Sequence, residues 1–121
     1  MAASLQPEVP QRVRDEAKNI VTKMGRAMCD RFKMVPGVKF MEEEDLEEMY
    51  INGVWRPNLA ITGIDGSPKV DQAGSALQPF TNLKLSIRLS PTQDADTIFT
   101  QISELLTKDV PFNYKVTLHG V

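Results

Sequence analysis

Hydrophobic and polar positions alternate most regularly over residues 82–89. Leu83, Leu85, Ile87 and Leu89 interleave there with Asn82, Lys84, Ser86 and Arg88. Successive side chains of a strand point to opposite faces. The pattern predicts a strand with one apolar face and one polar, basic face ending in Arg88. Residues 112–119 repeat it, with Phe112, Tyr114, Val116 and Leu118 set between Asn113, Lys115, Thr117 and His119. Residues 58–64 read as a third strand, closed by a turn at Asp65-Gly66. A long polar loop, residues 67–79, then leads into the strand at 82–89.

Helical spacing marks the rest of the chain. Val9, Val13, Ala17, Ile20, Val21, Met24, Ala27, Met28 and Phe32 recur at three- and four-residue steps. They predict one amphipathic helix over residues 10–33, about six turns long. Pro7 and Pro10 suit its start, Gly25 weakens its interior, and Pro36-Gly37 ends it. The acidic run Glu42-Glu43-Glu44-Asp45 reads as the solvated start of a short helix carrying Leu46, Met49 and Tyr50 and ending near Asn52-Gly53. Ala95, Ile98, Phe99, Ile102, Leu105 and Leu106 form another apolar stripe, with Thr92 or Asp94 as the cap. Residues 1–6 are expected to be loose.

The order strand, long loop, strand, helix, strand predicts an α+β two-layer sandwich. Its sheet is small and mainly antiparallel, with helices on one face. Residues 1–53 form a helical linking segment that packs on the sheet, and residues 54–121 form the core. Much of the sheet's cover would come from helix 10–33.

Composition narrows the function classes. A chain of 121 residues has room for one domain. A net charge of −2 offers no general attraction to nucleic acid or to acidic membranes. No apolar run approaches the roughly 20 residues that span a bilayer. The first residues lack the basic start and apolar block of a secretory signal. Cys29 is the single cysteine, so no internal disulfide can form, which fits a reducing compartment. The expectation is a cytoplasmic protein with neither a nucleic-acid nor a membrane partner.

Among candidate chemical groups, Arg88 stands out. A guanidinium on a polar strand face can grip a carboxylate or phosphate through two parallel hydrogen bonds. The plain alternative is a surface arginine lying over its neighbours. His119 is the only histidine, and with no second histidine or cysteine cluster this chain makes no zinc site by itself. Cys29 lies at the edge of an apolar stripe, as a small buried hydrophobe would. Met24, Met28, Met34, Met41 and Met49 read as core and interface filler. Ser67, Ser75, Ser86 and Ser90 lack a neighbouring base. Trp55 reads equally as an interface contact and as a plug at the turn into residues 58–64.

Three stretches carry a family resemblance. They are Trp55-Arg56-Pro57-Asn58-Leu59-Ala60-Ile61-Thr62-Gly63-Ile64-Asp65-Gly66, then Ala73-Gly74-Ser75-Ala76-Leu77-Gln78-Pro79, then Lys84-Leu85-Ser86-Ile87-Arg88-Leu89-Ser90-Pro91. In this order and spacing they resemble the ferredoxin-like lid (dimerisation) domain of the dinuclear-zinc metallopeptidases. That family includes carnosinases, cytosolic non-specific dipeptidases and aminoacylases. The resemblance covers about residues 54–120, and the helical part before it is similar only loosely.

The resemblance implies a segment of a larger hydrolase. In that family the lid is inserted into a catalytic domain that holds two zinc ions. Lids of two protomers pair into a homodimer and reach over an active site that hydrolyses peptides or N-acyl amino acids. The arginine matching Arg88 binds the substrate carboxylate. The loop position near Ser75 and Ala76, often Asn or Thr in the family, helps bind substrate, and Ser75 departs from it. The lid's usual first strand would precede residue 1. The chain by itself has no catalytic residue and no metal ligand to place, and is expected to be inactive alone. The alternative is a non-catalytic binding or dimerisation module derived from that family.

Overall fold

Pro10 opens the first helix in a computed structural model that describes residues 5–120. Its φ of −61° suits a helix start, and its carbonyl oxygen accepts the N–H groups of Val13 and Arg14. Helix α1, Gln11–Met24, ends where Gly25 takes a φ of 49°. Only glycine reaches that region without strain. The single helix expected over 10–33 is therefore broken. A separate turn of helix, α2 (Ala27–Asp30), follows Arg26.

Helix α3, Leu46–Val54, is capped by Asp45, whose Oδ1 accepts the Glu48 N–H at 2.9 Å. The acidic run is thus a helix start, and Glu43 also pairs with Arg26 at 2.9 Å. Helices α1 and α3 close on a small core of Val13, Ala17, Ile51 and Trp55, with Val9 and Tyr50 packed against it. The Tyr50 hydroxyl donates to Glu16 across this contact at 2.9 Å. That bond, with some desolvation and the Glu16 charge, raises the tyrosine pKa above its ordinary 10.0.

Strand β1, Asn58–Asp65, pairs antiparallel with β2, Asn82–Arg88, in a two-stranded sheet. The register places Leu59 opposite Ile87, Ile61 opposite Leu85 and Ile64 opposite Leu83. A bulge between Ile61 and Gly63 makes this possible. Thr62 is the extra residue, and it shifts the alternation by one so that Ile64 rejoins the face of Leu59 and Ile61. That face stays largely open, with Leu59, Ile61, Ile64 and Leu83 between 50% and 64% exposed.

Gly66 turns the chain at the end of β1 with a φ of 91°, and a Cβ there would lie 2.2 Å from the Phe80 carbonyl oxygen. Gly66→Ala is expected to destabilise the hairpin by about 2 kcal/mol from backbone strain and displacement of Phe80. Faster hydrogen exchange of the β1 and β2 amides would register the loss.

Helix α4, Ala95–Thr107, is capped by Asp94 and buries Ile98. One Asp94 oxygen accepts both the Thr97 N–H at 2.9 Å and the Thr97 hydroxyl at 2.7 Å. These bonds hold the carboxyl below the ordinary aspartate pKa of 3.8. The group therefore stabilises the fold above the unfolded pKa and loses that contribution as pH falls through the lower folded one. Helical circular dichroism of α4 should decline over this acidic window, and Asp94→Asn should flatten that part of the dependence.

The strand expected at 112–119 is not formed. Phe112 and Asn113 take positive φ values of 55° and 59° inside a 3-10 turn, Pro111–Asn113. Residues 114–120 follow with no strand pairing. The segment nevertheless returns alongside α4, because a Cβ on Gly120 would sit 2.9 Å from the Phe99 ring.

Of the N-terminal stretch expected to be loose, residues 1–4 lie outside the described residues, and Leu5 is buried. Its carbonyl oxygen accepts the Gln93 side-chain N–H at 2.8 Å, while the Gln93 carbonyl accepts the Ser90 N–H. Glu8 offers its carbonyl oxygen to the Trp55 indole N–H at 3.1 Å. Residues 5–8 thus tie the α1–α3 pair to the junction between β2 and α4. The fold class is α+β, with a small antiparallel sheet and helices. No helix among the described residues is long and apolar enough to cross a membrane.

Candidate functional site

The polar face of the hairpin is set by the same register as the apolar one. Asn58 stands opposite Arg88, Ala60 opposite Ser86, Gly63 opposite Lys84 and Asp65 opposite Asn82. Pro57 precedes β1 and biases Arg56 before it towards extended geometry. Directly opposed residues on one face hold their Cβ atoms about 5 Å apart. Arg88 therefore has the Asn58 carboxamide beside it across the strands. Ser86 lies two residues back on the same strand, and the small Ala60 forms the floor between them.

All four residues are exposed to solvent. Among the described residues, Arg88 takes part in neither ion pair. The side chains of Asn58, Ser86 and Arg88 make none of the intramolecular hydrogen bonds found there. Arg56, by contrast, is engaged by Glu48 and by Asn52 Oδ1. It is committed to the end of α3 and is no rival for a ligand at Arg88. An uncommitted guanidinium with two neutral hydrogen-bonding groups around a methyl floor suits a small planar anion, above all a carboxylate.

No family model and no curated protein matches this chain.

Ser75 lies in the exposed loop between the strands, after a short 3-10 turn at Val70–Gln72. No hydrogen bond among the described residues joins it to Arg88. His119 is exposed in the C-terminal segment. Cys29 is buried and free, as a small hydrophobe would be. The methionines divide. Met28 and Met49 are half-buried, whereas Met41 is 94% exposed and fills no core. Trp55, open between two readings on sequence, is a buried member of the α1–α3 core. Among the described residues no three His, Cys, Asp or Glu side chains gather closely enough to hold a metal ion. The resemblance implies that its two zinc ions belong to a separate catalytic domain, so no step through zinc is assigned to this chain.

Asn58 is the residue that sequence reading passed over. The strand pattern assigned it to β1 and left its partner open. The signal was present in the spacing Leu59-x-Ile61-x-x-Ile64, which breaks strict alternation once and so announces a bulge. Counting back from the bulge puts Asn58 on the polar face.

Proposed function

We propose that this chain is the lid segment of a zinc-dependent dipeptidase- or amidohydrolase-like metallopeptidase. It serves there in dimerisation and in binding the substrate carboxylate. In this reading Arg88 grips the carboxylate of a peptide or N-acyl amino acid, with Ser75 as a further loop contact. A separate catalytic domain of the parent holds both zinc ions and performs the hydrolysis in the cytoplasm. The chain alone does not catalyse it.

The observation that carries the reading is the uncommitted Arg88 on an open polar strand face. Surface area supports the dependence on a larger body. The chain exposes 10189 Å². A compact protein of its 13.5 kDa would expose about 6500 Å². The difference, roughly 3,700 Å² on one chain, exceeds one partner's share of most obligate interfaces, which bury about 2,000–5,000 Å² from both partners together. The open apolar face of the hairpin and the unpaired strand-like pattern at 114–119 belong with it.

Two measurements test the proposal. Coding sequence flanking the segment should encode zinc-binding His, Asp and Glu motifs on both sides. A parent without them would overturn the reading. Purified chain supplied with zinc and dipeptides should show no hydrolysis above background, and turnover by the chain alone would reject the division of labour.

The open apolar face also favours a second reading, a non-catalytic dimerisation module. Two-stranded hairpins are marginal in water unless something packs on them. Sedimentation over a wide concentration range tests this reading: a chain that stays monomeric rejects the module, whereas a dimer agrees with both readings, which the flanking coding sequence then separates.

A further inference from the structure

We infer that Asn58, assisted by Ser86, makes the Arg88 site selective for a carboxylate that carries a neighbouring amide, the arrangement at the C-terminal residue of a peptide or in an N-acyl amino acid. The inference rests on the assignment of Arg88 as a carboxylate binder and adds to it a residue that decides which carboxylates are held.

The argument is geometric. The register sets Asn58 directly opposite Arg88 and sets Ser86 opposite Ala60 on the same face. Opposed positions are about 5 Å apart at Cβ, and positions two apart on a strand are about 7 Å apart. The amide nitrogen of an N-acyl amino acid is one carbon removed from its carboxylate. A ligand whose carboxylate meets the guanidinium therefore presents its amide within reach of the adjacent strand. A carboxamide side chain both donates and accepts, so Asn58 can pair with the N–H or the C=O of that amide. The Ser86 hydroxyl is a second, rotatable partner for the carboxylate. Ala60 keeps the floor low, where a larger side chain would fill the space between the three groups.

Charge arrangement agrees with an anionic ligand. Lys84 extends the cationic character along β2, and Asp65 lies at the far end of the face, paired with Asn82 in the register. A carboxylate directly opposite Arg88 would have neutralised it. An asparagine there leaves the guanidinium without an ion-pair partner among the described residues while still offering hydrogen bonds.

The test uses the full 121-residue chain, isotopically labelled, and side-chain nuclear magnetic resonance. Three probes are titrated: acetate, N-acetylglycine and N-acetylglycine methyl ester. Both carboxylates should shift the Arg88 Nε–H resonance, and the ester should not. N-acetylglycine alone should also shift the Asn58 side-chain amide, and should bind about three- to tenfold more tightly than acetate, the range expected for one net hydrogen bond. Asn58→Ala should abolish that preference while Arg88 still responds to both acids. Asn58→Asp places a carboxylate against Arg88 and should weaken both acids. The backbone spectrum of each variant reports its fold, and the two variants fail independently.

If Asn58→Ala leaves the ratio of the two acids unchanged while Arg88 responds, or if Asn58→Asp leaves both affinities unchanged, the role of Asn58 is overturned and carboxylate binding stands. If no carboxylate moves Arg88 in the unsubstituted chain, the assignment of Arg88 falls, and this inference falls with it.

Discussion

Trp55→Ala is expected to destabilise the protein by about 3–5 kcal/mol, the usual effect of deleting a buried aromatic ring. The indole does three things at once. It fills the core between α1 and α3 with Val13, Ala17 and Ile51. Its N–H donates to the Glu8 carbonyl at 3.1 Å and so fastens the N-terminal stretch. Its ring also lies 5.4 Å from the Arg12 guanidinium carbon, within cation–π range. Trp55 sits at the C-terminal end of α3, three residues before β1, so its loss loosens the joint between the helical part and the hairpin. Domains of this size have only about 5–15 kcal/mol in hand. The variant should therefore approach global unfolding at ambient temperature. Chemical denaturation followed by circular dichroism measures this, because Trp55 is the only tryptophan and its fluorescence disappears with it. Trp55→Phe should recover most of the packing while leaving the Glu8 oxygen without its donor. A midpoint unchanged in the alanine variant would show that the α1–α3 core does not depend on this ring.

The second large effect concerns Arg88. In the proposed parent enzyme, Arg88→Ala should lower kcat/KM for carboxylate-bearing substrates by about a hundredfold, equivalent to losing a two-pronged charged hydrogen bond. If the grip is equal in ground and transition states, the loss appears in KM. If it tightens during reaction, kcat falls as well. Arg88→Lys should recover only part, since an ammonium keeps the charge and lacks the planar fork. Stability should barely change, because Arg88 is exposed and belongs to neither ion pair among the described residues. Steady-state kinetics of the intact enzyme with a dipeptide and with its C-terminal amide provide the check. Equal kinetics for the variant and the unsubstituted enzyme would rule out carboxylate recognition by Arg88.

Much of the fold was legible in the residues because local chemistry decided it. Pro10 marked the start of α1. The acidic run with Asp45 marked α3, and Asp94 was one of two foreseen caps for α4. Alternation over 82–89 identified β2 and its two faces almost to the residue. Other features were beyond local reading for a definable reason. Gly25 looked like a mild weakness inside a long helix, yet glycine can also leave the helix at positive φ, and the structure takes that route. The alternation at 112–119 encodes which side chains share a face. It does not supply the neighbouring strand whose hydrogen bonds would make the segment a strand, and the left-handed residues Phe112 and Asn113 turn the chain at its start. Leu5 carried no periodic signal at all. Its backbone carbonyl is held by Gln93, which lies far along the sequence.

The candidate site divides in the same way. Sequence by itself determined that Arg88 projects from the polar face of a strand, because side-chain direction along a strand follows from backbone geometry alone. It also determined the α+β class, from the mixture of two periodicities along one chain. Only the tertiary structure decided what stands beside Arg88. Pairing register depends on how two distant segments meet, and a single bulge at Thr62 changes which side chains share a face. That meeting placed Asn58 opposite Arg88, left Ser75 in an exposed loop, and committed Arg56 to Glu48 and Asn52.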